Sequence, residues 1–194
     1  MALVLALGNP GARYARTRHN VAWWVVDEAV ARWSARPAET TSEYRSWIAT
    51  VAGRDVRLVE PLLFMNLSGE ALTAWRTRNE FDPESLLVMC DDVYLPVGAL
   101  RLRPRGSSGG HRGLESVEAA LGTREYARLR LGVGGVESER LREHVLDGFS
   151  KDEEQTMNEA VRSAAAAVEC WLRDGLTAAM NRFNRRTGEE VSET

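Results

Sequence analysis

Leu86-Leu87-Val88-Met89-Cys90-Asp91-Asp92 runs through five apolar residues and closes on two carboxylates, and its reading decides the fold. A strand with one wet face would alternate polar and apolar side chains, whereas an unbroken apolar run of strand length fits a strand covered on both faces. Covering both faces takes a layer of helices on each side, so an α/β architecture is predicted. The two carboxylates then stand at a strand end, where sites collect in α/β sheets.

Outward from this strand, residues 2–7 form a second short apolar run ending in a Gly/Pro turn, and residues 21–33 place Val21, Trp24, Val25, Glu28, Ala29 and Arg32 at helical spacing. Residues 44–52 and 56–59 alternate around Gly53-Arg54-Asp55, which predicts a hairpin. Helical patterns cover 70–78, 114–121 with Gly122 as the stop, 152–173 and 176–185, and strand patterns cover 97–103 and 126–133. The polar segment 187–194 is expected to be a flexible tail. With no internal repeat and no long linker, residues 1–186 are expected to form a single domain. Its predicted form is a three-layer α/β/α sandwich around a twisted sheet, mixed rather than purely parallel because of the hairpin.

At 194 residues, 44% hydrophobic and 27% charged, the chain is long enough for one sizeable core. No stretch approaches the roughly 20 apolar residues of a membrane span, and Met1-Ala2-Leu3-Val4-Leu5 lacks the charged leader of a secretory signal, so a cytoplasmic location is expected. Cys90 and Cys170 lie far apart in apolar contexts and read as buried thiols rather than a bridge. His19, His111 and His144 are widely separated and there is no Cys-x-x-Cys or His-x-x-His, so neither a metal nor another cofactor is expected.

The net charge of -3 argues against nucleic acid until its distribution is considered. Residues 99–130 carry seven arginines, Arg101, Arg103, Arg105, Arg112, Arg124, Arg128 and Arg130, against three glutamates. That block is either a phosphate-facing surface or a local instance of a chain-wide preference, since Lys151 is the only lysine among 25 basic residues.

His19 stands in a turn rich in polar groups just beyond the first predicted strand, and imidazole is the side chain whose ordinary pKa lies nearest neutrality. Asn9 follows the same strand, Asn66 precedes a helix, Asp91 ends the central run and His111 sits in a glycine-rich loop. Hydrolysis without a metal needs a base for water, a carboxylate to orient it and uncharged donors for the oxyanion, which His19, Asp91, Asn9 and Asn66 could supply. Taken singly, Asn9 before Pro10-Gly11 also suits a turn, Asn66 a helix cap and Asp91-Asp92 a solvated turn. Gly106-Ser107-Ser108-Gly109-Gly110 matches the Gly-x-Ser-x-Gly of serine hydrolases, but Arg101-Leu102-Arg103-Pro104-Arg105 is not the buried strand that must feed such an elbow. An amide-rich loop beside arginines suits phosphate contact better. Gly8-Asn9-Pro10-Gly11 lacks the spacing and lysine of a nucleotide-binding loop.

Gly8-Asn9-Pro10-Gly11 with Tyr14 and Thr17-Arg18-His19-Asn20, then Phe64-Met65-Asn66-Leu67-Ser68-Gly69, Asp91-Asp92 ahead of Leu95-Pro96-x-Gly98, and Gly109-Gly110-His111-x-Gly113-Leu114 together resemble the bacterial peptidyl-tRNA hydrolases. The resemblance continues through Arg128-Leu129-Arg130-Leu131-Gly132-Val133-Gly134 and Asp174-Gly175-Leu176-Thr177. It implies a cytoplasmic, monomeric, cofactor-independent hydrolase that cleaves the ester between a peptide and the 3′ end of tRNA. In that scheme His19 activates water, Asp91 orients His19, and Asn9 and Asn66 bind substrate and oxyanion. Tyr14, Phe64, Met65, His111 and Arg112 would shape the cleft, and Arg101, Arg103 and Arg130 would meet tRNA phosphates. Three positions depart from the family pattern: Arg112 replaces an asparagine, Cys90 a histidine and Tyr94 an acidic residue. The alternative is a non-catalytic RNA-binding relative of the same fold, such as the splicing partners of plant organelles.

Overall fold

In the computed structural model, which describes residues 1–135 and 138–184, seven strands form one sheet in the order β2-β3-β4-β1-β5-β7-β6. The strands are β1 (Ala2–Ala6), β2 (Arg36–Thr40), β3 (Tyr44–Val51), β4 (Arg54–Pro61), β5 (Leu86–Asp92), β6 (Leu100–Arg103) and β7 (Ala127–Gly132). β4, β1, β5 and β7 run parallel at the centre, whereas β2, β3 and β6 pair antiparallel at the two edges. The predicted three-layer mixed sheet is therefore the observed one.

Side-chain alternation along the central strands builds two cores. Val4, Ala6, Leu87 and Met89 pack against α1 (Val21–Trp33), α5 (Lys151–Asp174) and α6 (Leu176–Phe183). Leu3, Leu5, Leu86, Val88 and Cys90 pack on the opposite face against α2 (Ser68–Arg76) and α3 (Arg112–Leu121). The run that predicted a doubly covered strand is buried from Leu86 to Asp92. Ser150 begins α5 with a reciprocal capping box to Glu153, and three acidic residues follow in the first turn, all favourable at the positive end of the helix dipole.

The structure corrects several boundaries. Asp91 and Asp92 lie inside β5, paired with Leu131 and Gly132 of β7, rather than after it. The hairpin turns at Ala52-Gly53, both with positive φ, while Arg54 and Asp55 pair with Val51 and Thr50. β6 starts at Leu100 because Pro96 to Ala99 is a turn closed by the Ala99 amide on the Pro96 carbonyl. Two elements went unpredicted, the exposed edge strand β2, which contains Pro37, and the six-residue helix α4 (Leu141–Leu146). The expected tail 187–194 lies outside the described residues.

α2 and α3 approach so closely that a Cβ at Gly69 would stand 2.1 Å from the Ser116 carbonyl oxygen. The Gly69 amide also donates to the Ser116 hydroxyl at 2.9 Å. Gly69→Ala must therefore push the helices apart, and the expected loss of stability is about 1–3 kcal/mol. A urea titration would register it as a lower midpoint at unchanged slope, and a midpoint equal to wild type would contradict the packing described.

Candidate active site

Because β1, β4 and β5 are parallel, the segments leaving their carboxyl ends emerge on one side of the sheet. Asn9 follows β1, Asn66 lies in a 3₁₀ turn after β4, and Asp91 is on the last turn of the β5 ladder. His19 sits in the 3₁₀ turn that opens α1, and His111 immediately precedes α3. All five line one cleft of about 410 Å³, together with Tyr14, Phe64, Arg112 and Arg130. Met65, expected in the cleft, is not among the lining residues but is buried with its sulfur against Gly113.

Asp91 is buried, and its Oδ1 lies 2.7 Å from His19 Nδ1 and 2.9 Å from His111 Nε2. An ionised carboxylate only accepts, so both imidazoles donate to the same oxygen. The other ring nitrogen of His111, Nδ1, accepts from the amides of Gly113 (3.2 Å) and Leu114 (3.3 Å) and caps α3. These bonds fix the His111 tautomer and leave His19 Nε2 as the ring nitrogen available to the cleft. Burial alone would raise the Asp91 carboxyl, but the charges and hydrogen bonds of His19 and His111 hold it far below the usual carboxylate range. For His19, burial lowers the pKa, yet attraction to Asp91 and the hydrogen bond to it outweigh that, so the imidazole lies above its ordinary value.

The residues on either side of His19 pin its turn. Arg18 is buried, donates to the Val133 carbonyl (2.9 Å), pairs with Glu153 (2.9 Å) and stacks on Phe149. Asn20, with no exposed surface, accepts from the Asn9 amide (3.0 Å) and donates to the Asn9 carbonyl (2.9 Å). Asn9 Oδ1 in turn accepts from the Met65 amide (2.9 Å), which orients its Nδ2 hydrogens away from that bond and leaves them for the cleft. Asn66 is exposed at the cleft wall, one residue beyond this link, and does not cap α2.

Sequence reasoning missed Asn20 as the clasp on Asn9, the bond from His111 to Asp91, and the wall formed by Leu141, Arg142, Val145 and Leu146 of α4. The one local signal available for Asn20 was its place directly after the histidine in Thr17-Arg18-His19-Asn20.

The basic block divides once its partners are placed. Arg124 and Arg128 share Glu118, Arg105 pairs with Glu125, and Arg130 pairs with Asp92 at 3.1 Å. Arg130 thus differs from the free cation that a phosphate contact calls for. Among the described residues, Arg101, Arg103 and Arg112 have no carboxylate partner, and all three are exposed. Arg101 and Arg103 alternate with buried Leu102 on the edge strand β6, outside the cleft. Arg112 lines the cleft next to His111, and Tyr94, 70% exposed, lies at its lip.

Ser108 has Glu115 and the Gly110 amide as partners rather than a histidine, so the Gly-x-Ser-x-Gly match has no nucleophile geometry. Cys90 and Cys170 are free and buried, as predicted. His19, Asp91 and His111 could offer three metal-ligand atoms within 4.8 Å of one another. Here, however, the nitrogens facing Asp91 carry the protons that bond it, an arrangement suited to moving a proton.

A family model described as Peptidyl-tRNA hydrolase matches residues 3–191 of the chain. A peptidyl-tRNA hydrolase of Synechococcus sp. (strain JA-3-3Ab) is 45% identical over 186 residues, covering 94% of this chain and 82% of that protein. Another from Chloroflexus aggregans is 44% identical, covering 95% and 99%. The crystal structure of the Acinetobacter baumannii peptidyl-tRNA hydrolase superposes with a TM-score of 0.89 at 31% identity, covering 95% of this chain and 94% of that one. A peptidyl-tRNA hydrolase solved in complex with N-propanol gives 0.90 at 30% identity, with 97% of each chain covered.

Proposed function

The chain belongs to the peptidyl-tRNA hydrolase family, an enzyme family that acts on peptidyl-tRNA, and from that premise we propose how its cleft cuts the ester. His19 Nε2 takes a proton from water as the water oxygen bonds to the ester carbonyl carbon. Asp91 stays ionised, holds the ring by its Nδ1–H and balances the imidazolium that forms. Asn9 Nδ2 and the Asn66 amide donate to the tetrahedral oxyanion. On collapse, the carbon–oxygen bond to the terminal ribose breaks, and that oxygen receives the proton from His19. The products are a free peptide and tRNA. The observation that carries this reading is the 2.7 Å contact between His19 and a buried carboxylate at the floor of a cleft.

Tyr14 and Phe64, packed edge to face at 6.3 Å, make an apolar wall for the peptide. Arg112 places a cation beside His111, where a phosphate or the developing oxyanion would meet it. The reading takes the chain as a monomer acting without a metal. No helix among the described residues is long and apolar enough to cross a membrane; a cytoplasmic place is assigned from the family, which acts on peptidyl-tRNA.

The test is release of an N-acetyl-aminoacyl group from tRNA, which the chain should catalyse. Tight tRNA binding with no release would favour the RNA-binding alternative. Arg101 and Arg103, exposed on β6 and without a carboxylate partner among the described residues, are assigned to tRNA phosphates, contacts that give affinity without reading bases. Replacing both with Ala should raise KM, leave kcat nearly unchanged and flatten the log–log salt dependence by about one unit per lost contact. A salt-independent fall confined to kcat would contradict this assignment.

A further inference from the structure

Residues 106–110 cross from β6 toward His111 as a loop with positive φ at Gly106, Gly109 and Gly110. Its own bonds are few: the His111 amide donates to the Ser108 carbonyl (3.2 Å), and the Gly110 amide to the Ser108 hydroxyl (3.2 Å). The carbonyls of its first three residues instead take guanidinium donors from β7. Arg128 donates to the Gly106 and Ser107 carbonyls, and Arg130 to those of Ser107 (2.8 Å) and Ser108 (3.0 Å). Arg130 also reaches Asp92 Oδ2 at 3.1 Å, while Asp92 Oδ1 accepts from the Tyr94 amide at 2.8 Å. The adjacent carboxylates of β5 therefore hold one loop at two points, while Arg128, paired with Glu118, holds its start at Gly106. Asp91 grips His111 directly, and Asp92 grips Ser107 and Ser108 through Arg130.

We propose that Asp92 and Arg130 are positioning residues that fix the glycine-rich loop, and through it His111 against Asp91, for hydrolysis. This deepens the reading of His19 and Asp91 and rests on it. The planar guanidinium suits the task, since one group must meet a carboxylate and two carbonyls at fixed angles. With side-chain exposures of 14% and 5%, Arg130 and Asp92 form a pair that a phosphate would have to break before binding. The glycines give the loop little conformational preference of its own, so the Arg130 anchor acts with Arg128 and with the bonds of His111 to Asp91 and α3 to set where His111 stands.

Two substrates separate positioning from phosphate contact: N-acetyl-aminoacyl-tRNA, and the same ester on the trinucleotide CCA, which lacks the acceptor helix. Asp92→Asn is expected to lower kcat on both by a similar factor, about tenfold or more, with KM little changed. Arg130→Lys, which keeps the charge but not the fork, should do the same. Thermal denaturation establishes that each variant is folded; if Asp92→Asn fails to fold, Arg130→Lys decides. If Arg130 served only as a phosphate ligand, Asp92→Asn would free it, lower KM for tRNA and leave the CCA ester unaffected, and Arg130→Lys would impair only the tRNA substrate. Either pattern, or wild-type kinetics in both variants, overturns the proposal. Failure of the wild type on both substrates would instead sink the hydrolytic reading beneath it.

Discussion

Replacing His19 by Ala is expected to lower kcat for release of N-acetyl-aminoacyl groups from tRNA by about 10²–10⁴-fold, the usual contribution of a positioned general base. The loss should fall on kcat rather than KM. Nε2 faces the cleft to meet water, while Arg101 and Arg103, to which tRNA affinity is assigned, lie on β6 outside the cleft. The turn should stay folded, because it is held by Arg18 and Asn20, and the loss of one of the two bonds to buried Asp91 should cost about 1–3 kcal/mol of stability. Ser108→Ala is the matched control: its hydroxyl bonds only Glu115 and the Gly110 amide, and turnover should stay near wild type. Full activity of His19→Ala, or loss of activity in Ser108→Ala, would reverse the assignment.

Asp91→Asn is the second large effect, and it changes the pH profile as well as the rate. The substitution removes the charge that two imidazole N–H groups share and that raises the pKa of His19. His19 must be unprotonated to accept a proton. Wild-type kcat/KM is therefore lost as pH falls through a pKa above the ordinary 6.5. Without the carboxylate the burial penalty is no longer outweighed, so the acid limb should move to lower pH. The high-pH plateau should nevertheless drop by about a hundredfold or more, since the imidazolium formed during reaction loses its counter-charge and the ring its orientation. An acid limb that stays in place in Asp91→Asn would separate the carboxylate from the base.

Much of the architecture was legible because it follows from burial, which leaves a local trace. The unbroken apolar run of β5 required helices on both faces, and Gly122 marks the end of α3 by its backbone conformation. β2 was missed because an edge strand with exposed Arg36, Pro37, Ala38 and Thr40 shows no apolar pattern. α4 was missed because six residues give too little period to detect. Within the site, His19, Asp91, Asn9 and Asn66 were each visible as polar groups near strand ends, and the sheet's parallel centre brings them to one cleft. Pairing across distance was not visible. Nothing near Arg130 in the sequence shows that Asp92, 38 residues earlier, holds its guanidinium, nor does the loop motif show that His111 reaches Asp91. Local charge counts therefore overstated the free basic surface, which the ion pairs to Glu118, Glu125 and Asp92 reduce to Arg101, Arg103 and Arg112 among the described residues of that block.

The central claim is that the His19 imidazole, held by Asp91, is the group that deprotonates water. It is tested most directly by titrating His19 by NMR in the free enzyme and measuring the acid limb of kcat/KM under the same conditions. The two pKa values should coincide above 6.5 and fall together in Asp91→Asn. A kinetic limb that does not follow the His19 titration would show that some other group activates the water.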